Sequence, residues 1–287
     1  HEGGWAWWKG ARNPDPFITA YVLLGLDQAS RAGLEIGSHF IEQAVAYLQS
    51  VMILPGDADS RRELDGLSFQ VYALRKQDLD LSEYIDGLVA RRSELSPWSL
   101  GLLALTVYER QPGESRVSVL LTDLESRALR SATGVHWEGE HRTWILPGSA
   151  IFNTSVSLFT LAQLDPASTS LTPALRYLIS HQKSGGGWPS PFDSAWAIMA
   201  VIEAMQGTGD VQADFDFLAL LNDRGIAEGS TSSAAPTGSI KATVPVNQLY
   251  AESPNALLIQ RGPGTGALYY RADLNTYHPA QDAGAIN

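Results

Sequence analysis

Helical segments of two kinds alternate between residues 15 and 206, and this alternation limits the folds that the chain can adopt. One kind is amphipathic, with charged or amide side chains on one face, as in 41–50 and 171–180. The other kind is apolar on every side, so each such helix must be covered all round. The economical arrangement is an inner ring of apolar helices inside an outer ring of amphipathic ones. The apolar segments are TAYVLLGL at 19–26, WSLGLLALTVY at 98–108, SVSLFTLAQL at 155–164 and SAWAIMAVIEA at 194–204.

A periodicity of 3.6 residues predicts the individual helices. The two amphipathic segments also align with each other without gaps, so that Tyr47 matches Tyr177 and Leu48 matches Leu178. This self-similarity indicates that the two halves share a supersecondary unit. Helices are predicted near 15–30, 38–52, 63–76, 80–92, 96–110, 115–132, 150–164, 171–183 and 193–206.

A Gly-Gly-Trp tripeptide precedes an apolar helix at two places, 3–5 and 186–188. Glycine accepts a positive φ, so these glycines are expected to release the chain from an outer helix into a tight reversal. Trp188 is then expected to fill the gap between neighbouring helices, and this packing role is favoured over contact with a ligand. Asp193 or Ser194 is expected to cap the inner helix that follows.

Beyond about residue 210 the pattern is typical of β-structure, with strand-length segments between clusters of Gly, Pro, Ser and Asn. The stretch 229–239 is predicted to be a flexible hairpin or loop. The strands predict a small antiparallel β-sandwich portion, whose further partner strands are expected elsewhere in a longer chain. The domain prediction is therefore a helical toroid over 1–209 and a β-segment over 210–287. The predicted strands are 215–222, 240–246, 255–262 and 266–274.

Composition excludes several classes of function. The net charge is −11, with 20 Lys and Arg against 31 Asp and Glu, whereas binding to nucleic acid needs a clustered excess of basic residues. Without cysteine, the chain by itself forms no disulfide, thiolate metal site or cysteine nucleophile. The six histidines lack the spacing of a metal motif, so neither a metal nor a cofactor is predicted. The longest apolar helical runs, 98–107 and 195–202, fall short of the roughly 20 residues that cross a bilayer.

One motif resembles a known family. The pattern Tyr177-Leu178-x3-Gln182-x3-Gly186-x-Trp188 resembles that of (α/α)6 toroids, which include terpene cyclases and the thioester-containing domain of alpha-2-macroglobulin and complement proteins.

Three further stretches favour alpha-2-macroglobulin among these families. HWEG at 136–139 and QKSGGGWPSPFDSAWA at 182–197 are similar to loops that open inner helices in that family. The strands ending in GTGALYYRADL at 264–274 resemble the CUB-like domain that flanks the toroid, particularly in bacterial members. The chain is thus mainly α: an incomplete (α/α)6 toroid that resembles the bacterial thioester domain, followed by part of a CUB-like domain.

The resemblance implies a fragment of a protease-trapping inhibitor rather than an enzyme, located outside the cell or in the cell envelope or periplasm. Its partners would be target proteases, reached through the parent protein, and other domains of the same parent chain. The family's covalent chemistry uses a Cys-x-Glu-Gln thioester, which this chain lacks because it has no cysteine. That segment is expected upstream of His1, or the parent is a member without a thioester.

The resemblance also suggests where a site would lie, with no catalytic residue among its members. Trp5, Trp7 and Trp8 have two interpretations: they seal the first turn of the toroid, or they form part of the apolar cover that keeps water from a thioester. The candidate residues of the toroid mouth or thioester pocket are Trp5, Trp7, Trp8, Asp15, His136, Trp137, Glu138, Trp188 and Asp193.

Two alternatives stay open. One is a toroid enzyme that acts on polysaccharide or terpenoid, because Asp57-Ala-Asp59-Ser60 resembles the acidic motif of class II terpene cyclases. The other is an adhesion or scaffold module, which a toroid mouth filled by Trp and Leu would favour. A carboxylate pair for glycoside hydrolysis is also possible in the enzyme, although the helix dipole equally favours acids at helix starts. The acids available for such a pair are Asp15, Glu63, Asp65, Glu138 and Asp193.

Overall fold

The computed structural model describes residues 3–11, 13–132, 134–139, 148–183, 186–208, 212–232, 234–235, 238, 240–270 and 272–274. The chain divides into two compact units, His1–Val211 and Gln212–Asn287. The predicted boundary between 209 and 210 lies outside the described residues. Each unit is described by itself below.

The first unit is helical, and every helix predicted from periodicity is present. The described residues contain α1 (Pro16–Arg31), α2 (Ser38–Val51), α3 (Arg61–Leu74), α4 (Ser82–Ala90), α5 (Pro97–Arg110), α6 (Ser115–Ser126), α7 (Ala150–Leu164), α8 (Leu171–Ser180) and α9 (Pro191–Thr208).

The helix predicted over 115–132 is too long, because α6 ends at Ser126 and a short hairpin follows it. Its strands are β1 (Leu129–Ser131) and β2 (Gly134–His136), paired antiparallel. Gly134 has a φ of +146°, and a Cβ there would lie 2.5 Å from the Pro173 carbonyl oxygen. Glycine at this position thus lets the hairpin approach α8 closely.

The odd-numbered helices form the inner series and the even-numbered ones cover it. Along the inner series α1 packs on α3, α3 on α5, α5 on α7 and α7 on α9. Each outer helix lies against its inner neighbours: α2 on α1, α4 on α3 and α5, α6 on α5, and α8 on α7 and α9. The predicted alternation of apolar inner and amphipathic outer helices is therefore confirmed, and the chain is mainly α.

Burial follows this arrangement most closely in the middle of the series. All residues of 97–107 in α5 and of 151–158 in α7 are buried. The last inner helix is less enclosed, since Ile198 and Ile202 of α9 are each 50% exposed. The apolar character of α9 is thus satisfied on only part of its surface by the described residues.

The second unit contains a three-stranded antiparallel sheet in the order β4-β3-β5, formed by β3 (Phe215–Leu221), β4 (Arg224–Thr231) and β5 (Leu257–Arg261). A small antiparallel β-portion is therefore confirmed. The strands predicted at 215–222 and 255–262 are present.

The other two predicted strands are wrong for the residues that the structure describes, because neither 240–246 nor 266–274 pairs as a strand there. The strand β4 occupies a stretch that was partly predicted as loop. It pairs with β3 through a turn at Asn222 and Asp223, whose φ values are 52° and 61°. Left-handed Asn and Asp at two central positions are characteristic of a tight hairpin.

Candidate functional site

Each inner helix contributes one aromatic ring to a closed circuit of five rings. Four come from the first turns of α1, α5, α7 and α9, and the fifth comes from the middle of α3. The centroid distances are 4.8 Å from Phe17 to Phe69, 6.2 Å from Phe69 to Trp98 and 5.3 Å from Trp98 to Phe152. Phe192 completes the circuit, 4.9 Å from Phe152 and 6.0 Å from Phe17. Such pairs contribute about 0.5–1.5 kcal/mol each beyond burial. Aromatic side chains therefore fill the centre of the ring at this end.

A buried carboxylate joins α3 to the start of α5. Asp65 is 5% exposed and accepts two hydrogen bonds from Ser96, from its backbone N–H at 2.9 Å and from its hydroxyl at 2.6 Å. Burial raises the pKa of Asp65 from an ordinary value of 3.8 to about 6, and the bonds from Ser96 oppose that rise only in part. Asp65 thus provides an acceptor for the Ser96 N–H at the start of α5, and this requires a carboxylate to be buried.

A second buried carboxylate joins α9 to the start of α7, here through hydroxyl groups alone. Asp193 is 6% exposed and accepts hydrogen bonds from the Ser149 hydroxyl at 2.5 Å and the Ser190 hydroxyl at 2.8 Å. Ser149 caps α7, since its hydroxyl accepts from the Phe152 N–H. Ser190, rather than Asp193 or Ser194, holds the first turn of α9, because its hydroxyl accepts from the Asp193 N–H at 3.0 Å.

Three tryptophans bind the following inner helix in the same way, although they come from connections of different length. In each, the backbone N–H of the tryptophan donates to a hydroxyl in the first or second turn of that helix. The pairs are Trp5 with Thr19 at 2.9 Å, Trp137 with Thr154 at 3.1 Å and Trp188 with Ser194 at 2.9 Å.

Two of these tryptophans also bind the preceding outer helix. The indole N–H of Trp137 donates to the Leu124 carbonyl at 2.7 Å, and that of Trp188 donates to the Leu178 carbonyl at 2.9 Å. Trp137 and Trp188 therefore link an outer helix to the inner helix that follows, and both are buried. Gly186 and Gly187 supply the reversal before Trp188, with φ of 80° and 73°.

The remaining candidate tryptophans lie closer to solvent. Trp7 donates its indole N–H to Asp15 at 3.1 Å and is 44% exposed, while Trp8 is 78% exposed. Asp15 caps α1 by accepting from the Ile18 N–H at 3.0 Å. Trp5, Trp7 and Trp8 thus do not form one buried cluster within the described residues.

His136 stacks on Tyr177, with ring centroids 4.5 Å apart and planes 6° from parallel. Its Nε2 lies 3.3 Å from an oxygen of Glu138, which is exposed. Burial raises the pKa of the Tyr177 hydroxyl. In the part of the chain that the structure describes, no group of three His, Asp or Glu residues is arranged to hold a metal ion. His141 lies outside that part.

The acidic motif at 57–60 takes part in a helix start. Ser60 and Glu63 form a capping box at the beginning of α3, and Glu63 also accepts from the Asp59 N–H at 2.8 Å. Asp15, Glu63, Asp65 and Asp193 therefore all accept hydrogen bonds at or beside helix N-termini, as the helix dipole favours.

These features define an α/α toroid whose inner helices are locked together at their starts and whose centre is filled by aromatic rings. No family model matches the chain, and no curated protein matches it by sequence. Solved structures do match it, and all three described next are bacterial alpha-2-macroglobulins.

The Salmonella protein reacted with methylamine superposes with a TM-score of 0.58 at 17% identity, covering 91% of this chain and 15% of that one. The native E. coli protein gives a TM-score of 0.60 at 17% identity, covering 80% of this chain and 14% of that one. The E. coli protein activated by porcine elastase gives a TM-score of 0.54 at 18% identity, covering 82% of this chain and 21% of that one.

The chain therefore spans about a seventh of the first two structures, with coverages of 15% and 14%. At such identities the likeness is one of fold, and at that level the resemblance to bacterial alpha-2-macroglobulin stated from the sequence is confirmed. Within the described residues, no helix combines the length and apolarity needed to cross a membrane.

Proposed function

We propose that this chain is part of a bacterial alpha-2-macroglobulin-like protein that traps proteases. Residues 1–209 would form the toroid that carries or derives from the thioester domain, and 210–287 would form part of its CUB-like neighbour. The order of parts supports this proposal, since a helical toroid followed by an antiparallel sheet matches solved structures over 80–91% of this chain.

The observation that carries the proposal is the closed aromatic circuit. Because the five rings contact one another in a closed circuit, the described residues leave no axial opening among these rings for a polymer or an isoprenoid. Four of the five acids available to an enzyme are bonded at or beside helix starts, and the fifth, Glu138, is exposed beside His136. The role proposed for the chain is therefore that of a rigid element which the parent moves, not a site of turnover.

Partners and location follow from the same proposal. Porcine elastase activated the similar E. coli protein, and methylamine reacted with the similar Salmonella protein. We infer that the parent of this chain meets proteases in the cell envelope, in the periplasm or outside the cell. With no cysteine in the chain, covalent capture would need a Cys-x-Glu-Gln segment elsewhere in the parent.

Trypsin mixed with the full-length parent protein provides the test. A trap encloses the protease without blocking its active site, so cleavage of casein should fall while cleavage of a small chromogenic peptide persists. Full activity on casein at a molar excess of the parent would refute the proposal. Pretreatment of the parent with methylamine then distinguishes covalent from non-covalent trapping. A gain in mass and a loss of covalent trypsin adducts would both require a thioester.

A scaffold module is the alternative that the filled centre also favours, because such a module needs no open cleft. It predicts that both substrates of trypsin are cleaved at unchanged rates. The hypothesis of a toroid enzyme predicts that the chain itself releases reducing sugar from polysaccharide or forms a cyclised product from a terpenoid.

A further inference from the structure

The connection between α4 and α5 carries two arginines in succession, Arg91 and Arg92. The next two residues, Ser93 and Glu94, are exposed. The other Arg-Arg pair of the chain, 61–62, lies in the first turn of α3. Exposed connections are the places where proteases most often cut a folded chain, but the outcome depends on how the backbone there is bonded. The bonds made by this connection therefore decide whether an arginine-specific protease can cut it.

The side chain of Arg91 is bound at all three of its nitrogens. Its Nε and one terminal nitrogen donate to the Glu94 carboxylate at 2.8 and 2.6 Å. The other terminal nitrogen donates to the carbonyl oxygens of Pro55 at 2.7 Å and Ala58 at 2.8 Å, in the connection before α3. A trypsin-like protease recognises its substrate by placing the basic side chain in an acidic pocket. Arg91 cannot enter such a pocket while these bonds persist.

Arg92 is bound through its side chain and also through its carbonyl oxygen. Its Nε donates to Asp123 in α6 at 2.8 Å. Its carbonyl oxygen accepts from the Leu95 N–H at 3.3 Å and from the guanidinium of Arg127 at 3.1 Å. This oxygen belongs to the peptide bond that would be cut, and a serine protease must bind it in the oxyanion hole. Cleavage after Arg92 therefore requires that the oxygen first leave Arg127.

Arg127, directly after α6, also holds the carbonyl oxygens of Ser93, at 3.4 Å, and of Leu95. One guanidinium thus binds three carbonyl groups of the same short stretch, and hydrogen bonds from a charged donor are among the stronger ones. The ion pair of Arg92 with Asp123 is weaker by comparison, because the two side chains are 38% and 35% exposed. Arg127 is therefore the main barrier to local opening of this connection.

We propose that Arg91-Arg92-Ser93 is a latent cleavage site for an arginine-specific protease, kept closed by the bonds of Arg127. Displacement of Arg127 lets the stretch open, so that the side chain and the carbonyl group of Arg92 can enter the protease. Hydrolysis breaks the amide bond between Arg92 and Ser93. One water molecule supplies the hydroxyl of the new carboxyl group and a hydrogen of the new amine. The proposal does not depend on the protease-trap function, since the chain acts here as a substrate.

Limited digestion of the folded 287-residue chain with trypsin tests the proposal, with initial rates at each bond measured by mass spectrometry. The bond after Arg31 is the internal reference, because the four residues that follow it, 32–35, are all exposed. In the wild type, the reference bond should be cut much faster than the bond after Arg92. Global unfolding exposes both bonds, so a change in the ratio of the two rates reports local opening.

Arg127→Met keeps an unbranched side chain but removes every donor. The rate of cleavage after Arg92, relative to the reference bond, should rise about tenfold or more, because cleavage follows the population of the open form. Arg130→Met is the matched control. It makes the same substitution three residues later, where Arg130 binds the Ser170 hydroxyl at 3.0 Å and lies 3.5 Å from Glu125. The control should leave the ratio of rates unchanged.

Asp123→Ala is a second variant, which frees the side chain of Arg92 and leaves Arg127 in place. It should raise the same ratio by a smaller factor, and it decides the matter if Arg127→Met does not fold. Three results would overturn the proposal. The first is wild-type cleavage after Arg92 as fast as at the reference bond. The second is an equal change of the ratio in the Arg127 and Arg130 variants. The third is an unchanged ratio in every variant that folds.

Discussion

The middle and the flank of the inner helical series have similar apolar sequences but different surroundings. In α5 and α7, the stretches 97–107 and 151–158 are buried without a break. In α9, Ile198 and Ile202 are half exposed, one helical turn apart on the same face. An apolar helix sequence therefore does not by itself show that neighbouring residues of the same chain cover the helix on every side.

The difference follows from position in the series. Each middle helix packs on an inner neighbour on both sides and on outer helices behind it. Along most of its length α9 packs on α7 and α8, and its contact with α1 is made by Phe192 at its start. The described residues therefore leave one face of α9 exposed, whereas they enclose the middle helices.

The largest effect on stability is expected at Phe152, whose aromatic side chain in α7 contacts both α5 in the middle and α9 at the flank. Phe152 is fully buried and contacts Trp98, Phe192 and Trp196. Phe152→Ala should lower the free energy of unfolding by about 3–5 kcal/mol, through lost transfer energy and a new cavity. Urea unfolding followed by tryptophan fluorescence measures it. If Ile198→Ala cost as much, the contrast between middle and flank would be wrong.

A pH dependence should come from Asp65, which holds the start of α5. With its pKa raised to about 6, the folded state takes up a proton that the unfolded state does not bind until near 3.8. Stability therefore rises as the pH falls through this window, and it is lost as the pH rises through it. The full difference amounts to up to about 3 kcal/mol.

Comparison of the wild type with Asp65→Asn tests this dependence of the free energy of unfolding on pH, because asparagine does not titrate. Urea unfolding between pH 4 and pH 7 should show the variant gaining stability relative to the wild type as the pH rises, by about 1–3 kcal/mol across the window. Parallel curves for the two proteins would mean that Asp65 is not protonated near pH 6.

The same substitution, glycine to alanine, compares the packing of the middle of the series with that of an end helix. At Gly101 in α5 a Cβ would lie 2.7 Å from the Thr160 hydroxyl, whereas at Gly25 in α1 it would meet nothing within 4 Å. Gly101→Ala should destabilise by about 1–2 kcal/mol through overpacking. Gly25→Ala should stabilise by about 0.5–1 kcal/mol, because alanine is the better helix former. Shifts of the same sign in thermal unfolding would contradict the difference in packing.

The smallest effect on stability is expected on the open face of α9. Ile202→Glu should change the free energy of unfolding of the chain by less than about 0.5 kcal/mol, as at other surface positions. In the full-length parent the same change should cost more than about 1 kcal/mol if another element covers this face. Equal effects in chain and parent would mean that the face stays open.

Much of the helical fold is predictable because its signal is local. The presence of α1 to α9 follows from periodicity, although the end of α6 was predicted too late, and the caps Asp15 and Ser149 are recognised only in the structure. The strand β4 was harder to predict, since Gly225 and Gly229 interrupt its alternation. Its clearest signal was the Asn222-Asp223 pair, whose left-handed backbone closes the hairpin with β3.

The site could be predicted only in part. Two of the three tryptophans before inner helices, Trp5 and Trp188, are visible as a repeated tripeptide, whereas Trp137 is not. The bond between Asp65 and Ser96 joins residues 31 positions apart. The aromatic circuit has no sequence pattern at all, because its members come from five helices between Phe17 and Phe192. Features that depend on which helices become neighbours require the tertiary fold.

The bond from a tryptophan N–H to a helix hydroxyl has a consequence for how such a chain varies. It spans 14 residues at Trp5, 17 at Trp137 and 6 at Trp188, yet its geometry is the same in all three places. The bond fixes the two ends of each connection, and the residue that caps the helix, Asp15, Ser149 or Ser190, lies between them and has to keep its place. Insertions and deletions should therefore be tolerated between Trp5 and Asp15 and between Trp137 and Ser149, whereas the connection after Trp188 is held by Ser190 and Asp193 and should keep its length.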